Sequence, residues 1–167
     1  MIVMPVDQSG FQRTLFSLLN QELASMYELK QVLDQETAAL TYERDGKHLL
    51  QLVSTKDEKV RTLKQLELER NQLFHSIGLD GHPRKITDFL ESEAMFQPIL
   101  QLWQQLLDLT TQCQESNRLN GTIIKLDHQH LQQALGLLRA NSLEDHNNYD
   151  PKGQATTSNS SRLLGQA

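Results

Sequence analysis

Apolar residues recur along the first part of the chain at alternating spacings of four and three. Leu15, Leu19, Met26, Leu29, Leu33 and Leu40 form one such stripe, and Glu22 and Glu36 fall in its register. That period puts side chains on one face of an α-helix. With Asp7 or Ser9 as cap, it predicts a first helix running to about Tyr42, on the order of 50 Å long. A helix of that length needs a partner packed lengthwise. Glu22 and Glu36 interrupt the stripe about four turns apart, too far to act as an acid pair, and read as register or edge positions.

Arg44-Asp45-Gly46 is the natural break, with Gly46 as a stop and Asp45 as a restart cap. A second run follows through Leu49, Leu52, Val53, Val60, Leu63, Leu66, Leu73, Phe74 and Ile77, closed by Gly78. Gly78, Gly81 and Pro83 argue against helical continuation. A short helix is expected from Thr87 or Asp88 through Phe89 and Leu90, and Pro98 suits the first turn of the next one. The last run carries Ile99, Leu102, Trp103, Leu106, Leu109, Cys113, Ile123, Ile124, Leu131, Leu135 and Leu138. Its stripe turns polar around Asn117-Arg118-Leu119-Asn120-Gly121. Asn-Gly ordinarily marks a turn, but the register resumes beyond it, which favours one continuous helix. The expected fold is all-α: three long antiparallel helices in a coiled-coil-like bundle, with one short extra helix.

Near Asn141 the periodicity ends. Residues 1–141 read as a helical domain. Residues 142–167, rich in Ser, Thr, Asn, Gly and Pro, read as a flexible C-terminal tail that buries too little apolar surface to offset the entropy of ordering.

Composition narrows the function. Aromatic residues make up 5% of the chain and the net charge is -5, with no dense Lys/Arg block. Nucleic acid and anionic membrane surfaces are therefore poor partners. No run approaches the roughly 20 apolar residues of a membrane span, and the N-terminus lacks the basic and apolar regions of a signal peptide. The single cysteine, Cys113, lies in an apolar pattern and excludes a disulfide scaffold. A cytoplasmic protein without membrane insertion is expected.

Candidate chemistry is sparse. A di-metal bundle needs Glu-x-x-His on two helices, and the chain has none. Asp127, His128 and His130 form the one His/Asp cluster, which reads as a solvated helix face and not a metal site. Cys113 lacks a basic neighbour at helical spacing and reads as a small buried hydrophobe. Trp103 reads as a core anchor. No catalytic residue, metal ligand or cofactor is expected, so the chain reads as a binding protein and not an enzyme. Gly121 costs about 1 kcal/mol in a helix interior, an expense explained by close helix approach, with the Asn117 and Asn120 amides bonding across. Tyr149 is the one large aromatic of the tail and suits docking into a partner's pocket.

These residues resemble the FlgN family of flagellar type III export chaperones. Lys59, Leu63, Leu66, Glu67, Arg70, Leu73 and Gly78 look like the family's second-helix pattern. Asn117-x-x-Asn120-Gly121 followed by Ile124 resembles its long-helix motif. Tyr149-x-x-x-Gly153-Gln154, with Ser161-Arg162-Leu163-Leu164-Gly165, resembles its tail, although Asp150-Pro151-Lys152 stands where glycine often follows the tyrosine. The resemblance implies a cytoplasmic, ATP-independent chaperone for the C-terminal segments of the hook-filament junction (hook-associated) proteins. It places client binding on the later part of the long helix and on the tail, and an amphipathic helix exposing Leu131, Leu135 and Leu138 there could receive a client's apolar helix. It also implies that Tyr149 helps engage the cytoplasmic domain of the export gate, with Gly153 and Gln154 as further partner-binding residues of the tail. A first helix able to swing away would allow a homo-oligomer or domain swap. The alternative reading is a coiled-coil adaptor or scaffold without cargo delivery.

Overall fold

The computed structural model describes residues 7–43 and 45–147, with side chains as far as residue 139. The chain divides into two compact units, residues 1–124 and 125–167. Four α-helices form the described part: α1 (Gln8–Ala38), α2 (Gly46–His75), α3 (Pro83–Glu91) and α4 (Gln97–Asn147). A π-helical turn, Ala39–Glu43, ends the first arm, and a 3₁₀ turn, Ala94–Phe96, precedes α4. The fold is all-α, as expected, and no strand occurs among the described residues.

The helix starts follow local chemistry. The Asp7 carboxylate accepts the Gly10 N–H at 2.8 Å, and the Asp45 carboxylate accepts the Lys47 N–H at 2.9 Å. Each satisfies a backbone donor that has no partner inside its helix. The end of α2 is equally specific. Gly78 has φ 76°, Gly78 N–H donates to His75 O at 2.9 Å, and Leu79 N–H donates to Phe74 O at 3.0 Å. Those paired bonds are a Schellman motif with glycine in the left-handed position, and its flanking residues Leu79 and Phe74 are both buried.

Two boundaries differ from expectation, the start of the short helix and the end of the last one. The short helix begins at Pro83, not at Thr87 or Asp88. Pro83 starts the helix instead of breaking it, because a first-turn residue has no intrahelical use for the N–H that proline lacks. The helix is otherwise continuous where expected: α4 passes through Asn120-Gly121 without a break and continues to Asn147, beyond Asn141.

In the first unit, cross-helix contacts set direction. Glu28 pairs with Lys59 and Glu22 with Arg70, so α2 runs antiparallel to α1. Cys113 Sγ reaches Met26 O and Asn120 reaches Leu33 O, both at a sequence separation of 87, so α4 runs parallel to α1. The arrangement is up, down, up. Its core joins Leu15, Leu19 and Leu33 of α1 to Phe74, Ile99 and Trp103, with α3 contributing Ile86, Phe89 and Leu90. Phe11, Phe74, Phe89 and Phe96 meet at this end, Phe11 lying edge-on to the other three with centroids 6.1–6.3 Å away.

Candidate functional site

The two carboxylates of the α1 stripe are not edge residues. Glu22 is 3% exposed and Glu36 is 1% exposed, each inside the helix seam. Around them the bundle builds two polar nodes. At the first, Arg70 Nε donates to both Glu22 oxygens at 2.9 and 3.1 Å. The guanidinium lies over the Trp103 ring, 5.0 Å from its centroid. Trp103 Nε1–H donates in turn to Thr87 Oγ at 3.0 Å. One connected set therefore touches α1, α2, α4 and α3. Burial pushes the Glu22 carboxyl above its ordinary range, and the Arg70 charge opposes that only in part.

The second node centres on Asn120, which is 1% exposed. Its Nδ2 donates to Leu33 O at 3.0 Å and to Glu36 Oε2 at 2.8 Å, while its Oδ1 accepts from the Thr37 hydroxyl at 2.7 Å. Lys56 Nζ donates to Glu36 Oε1 at 2.6 Å. Asn120, Glu36 and Lys56 thus tie α4 to α1 and α1 to α2. Among the described residues, no buried side-chain polar atom is left without a partner. Such nodes fix register, because sliding a helix by one turn would strand a buried charge.

The long-helix motif therefore separates into parts with different roles. Asn120 bonds across the bundle as expected. Asn117 lies exposed on the α4 surface. Gly121 does not mark a close approach: a Cβ built there meets nothing within 4 Å. The expectation of a packing notch is overturned, since Asn120 occupies the inward position and the next residue, about 100° around the helix, faces outward. Ile124 is also exposed.

The second unit, described by itself, is the distal part of α4. Leu131, Leu135 and Leu138 are 58%, 46% and 65% exposed, and they repeat at spacings of four and three. This stripe has the period of a buried helix face but lies open. His128 Nε2 and Gln132 Nε2 lie 3.3 Å apart on the exposed helix surface, which also carries Asp127 and His130. Among the described residues, no group of three or more His, Cys, Asp or Glu side chains is placed to hold a metal ion. No described helix is long and apolar enough to cross a membrane. Tyr149, Gly153 and Gln154 lie outside the described residues.

Lys56 is the node residue that sequence reasoning missed, and Glu36 and Arg70 were named without their buried partners. The available signal was the coincidence of carboxylates in the α1 stripe with cations in the inward register of α2.

The FlgN protein family model matches residues 11–157, which takes in all four helices and part of the tail. The chain belongs to the FlgN family. The family is one of flagellar proteins, and the sequence resemblance is thereby confirmed. Among solved structures, the chain is similar to a crystal structure of a candidate flagella synthesis protein FlgN from Pseudomonas aeruginosa. The two share 24% identity and a TM-score of 0.60, covering 66% of this chain and 86% of that one, which shows a shared fold. No curated protein matches the chain in sequence.

Proposed function

We propose that the chain is a cytoplasmic export chaperone without catalysis, which binds the C-terminal segments of hook-filament junction proteins and escorts them to the export gate. The observation that carries this reading is the open stripe of Leu131, Leu135 and Leu138 on α4 in a member of a flagellar family. An amphipathic helix with anchors at that spacing supplies one half of a helix–helix interface. A client segment that is unfolded before assembly supplies the other, and covering its apolar side chains prevents premature aggregation. Ordering that segment costs entropy, which moderates affinity and leaves release feasible without nucleotide hydrolysis.

In this reading the body and the tail divide the work. The two polar nodes hold the helices of the first unit in one register. Tyr149, with Gly153 and Gln154, provides the gate contact, because an aromatic anchor in a polar segment combines contact area with few rotatable bonds. The test is co-purification with C-terminal fragments of the junction proteins. The expected result is a complex with the full chain that is lost in Leu131→Asp/Leu135→Asp, with helicity unchanged. A complex unaffected by those substitutions would remove the distal stripe from the mechanism. No complex at all with a folded chain would remove the chaperone reading.

A further inference from the structure

A second apolar surface lies in the first unit, away from the distal stripe. Two recesses of about 340 Å³ each run along the seam between α2 and α4. Both are floored by Met26 and Leu29 of α1 and share Val60 of α2 and Thr110 of α4. They are neighbours in one groove. On α4 their lining extends from Trp103 to Asn117, about 21 Å of helix at 1.5 Å per residue. Each recess has room for one or two apolar side chains, and a groove of that length fits about four turns of helix.

The rims differ in charge. The α4 side presents Gln114 and Asn117, which are uncharged. On the α2 side Lys56 and Arg70 are taken up by Glu36 and Glu22, and the exposed charges left on the rim are Asp57, Lys64 and Glu67, in the order negative, positive, negative. Asp57 and Lys64 are exposed and have no ion-pair partner among the described residues, and Glu67 stands 4.0 Å from Arg70. Asp57 and Lys64 are one heptad apart, as are the apolar positions a packed helix repeats along such a seam.

We propose that this groove is a docking site for an amphipathic helix of a partner protein, carrying apolar anchors seven residues apart. One flank of that helix bears base, acid and base opposite Asp57, Lys64 and Glu67. The anchors enter the two recesses and complete a fourth helix over α1, α2 and α4. The charge order selects the partner and its register, since sliding the helix until its acid faces Asp57 or Glu67 would set like charges together. The site is distinct from the distal stripe and does not depend on the chaperone reading.

The test uses two synthetic helical peptides of about 18 residues. Both carry leucine anchors at heptad spacing, one with the matched flank and one with its charges inverted. Binding to the full chain is read by anisotropy of the labelled peptide and by emission of Trp103, the chain's one tryptophan, which lines the groove. The matched peptide is expected to bind about three- to tenfold tighter than the inverted one at low salt, with the difference shrinking in high salt. Thr110→Trp fills the shared wall and is expected to lower affinity at least tenfold with helicity retained. Lys64→Glu, on the exposed rim, is expected to weaken the matched peptide about threefold and to regain it when the peptide's acid becomes lysine. Equal affinity for both peptides would overturn the proposal. So would binding that survives Thr110→Trp but fails in Leu131→Asp/Leu135→Asp, or self-association of the chain that Thr110→Trp abolishes, which would make a second copy the occupant.

Discussion

At the residue scale, the buried ion pair of Glu22 and Arg70 is the feature with the sharpest consequences. Removing one partner leaves an uncompensated charge in a low-dielectric seam, whereas replacing both with apolar side chains removes the need for either. Arg70→Leu is therefore expected to cost about 3–5 kcal/mol in urea unfolding, and Glu22→Met/Arg70→Met about 1 kcal/mol or less. The pH dependence follows from Glu22 having its carboxyl pKa raised in the fold by burial, above an ordinary value of 4.5. The folded state then holds a proton that the unfolded state has released, so this contribution is fully present below pH 4.5 and is lost as pH rises through the raised value. The stability of the chain relative to Glu22→Gln is expected to fall over that interval, and a difference that grows with pH would contradict the assignment. Gly121 gives an opposite kind of forecast. With open space around its Cβ position, Gly121→Ala is expected to stabilise by about 1 kcal/mol, measured by the urea midpoint. Asn120→Ala is expected to destabilise by about 1–3 kcal/mol, because Glu36 and the Leu33 carbonyl each lose the amide donor that ties α4 to α1. Side-chain burial of this kind was the least legible part of the sequence. The periodicity placed Glu22, Glu36 and Asn120 on the right helices. What turns a polar residue in a stripe from an edge position into a buried node is the identity of the facing residue on another helix, and a single strand of text does not hold that pairing.

At the scale of elements, most of the fold was legible because local rules govern it. The caps at Asp7 and Asp45, the stop at Gly78 and the placement of Pro98 in the first turn of α4 each rest on backbone chemistry within a few residues. Pro83 shows where such rules leave a choice, since the same residue ends one helix or opens another and only its packing neighbours decide. Ile86, Phe89 and Leu90 bury one face of α3, which rewards starting the helix early enough to present all three. Gly78→Ala tests the α2 stop: with φ 76° in the glycine region, the substitution is expected to cost about 1 kcal/mol. The candidate site was legible in part. The leucine periodicity singled out Leu131, Leu135 and Leu138, which lie exposed on α4, and their role in binding is the proposal made above. The α2–α4 groove was not legible, because a recess is made by three helices together and leaves no signature in any one.

At the scale of the whole molecule, the account divides labour between a unit that holds its register through buried polar nodes and a helical segment that offers an open apolar stripe. The family assignment sets this in flagellar biology, and the proposed chaperone role makes the stripe a client-binding surface. The most direct measurement is titration calorimetry of the full chain, and of Leu131→Asp/Leu135→Asp/Leu138→Asp, with a C-terminal fragment of a junction protein. The account predicts one-to-one binding by the full chain with a negative heat-capacity change from buried apolar surface. It predicts at least a hundredfold loss of affinity in the triple variant, whose thermal unfolding stays unchanged because those side chains are exposed. Full affinity in a folded triple variant would contradict it.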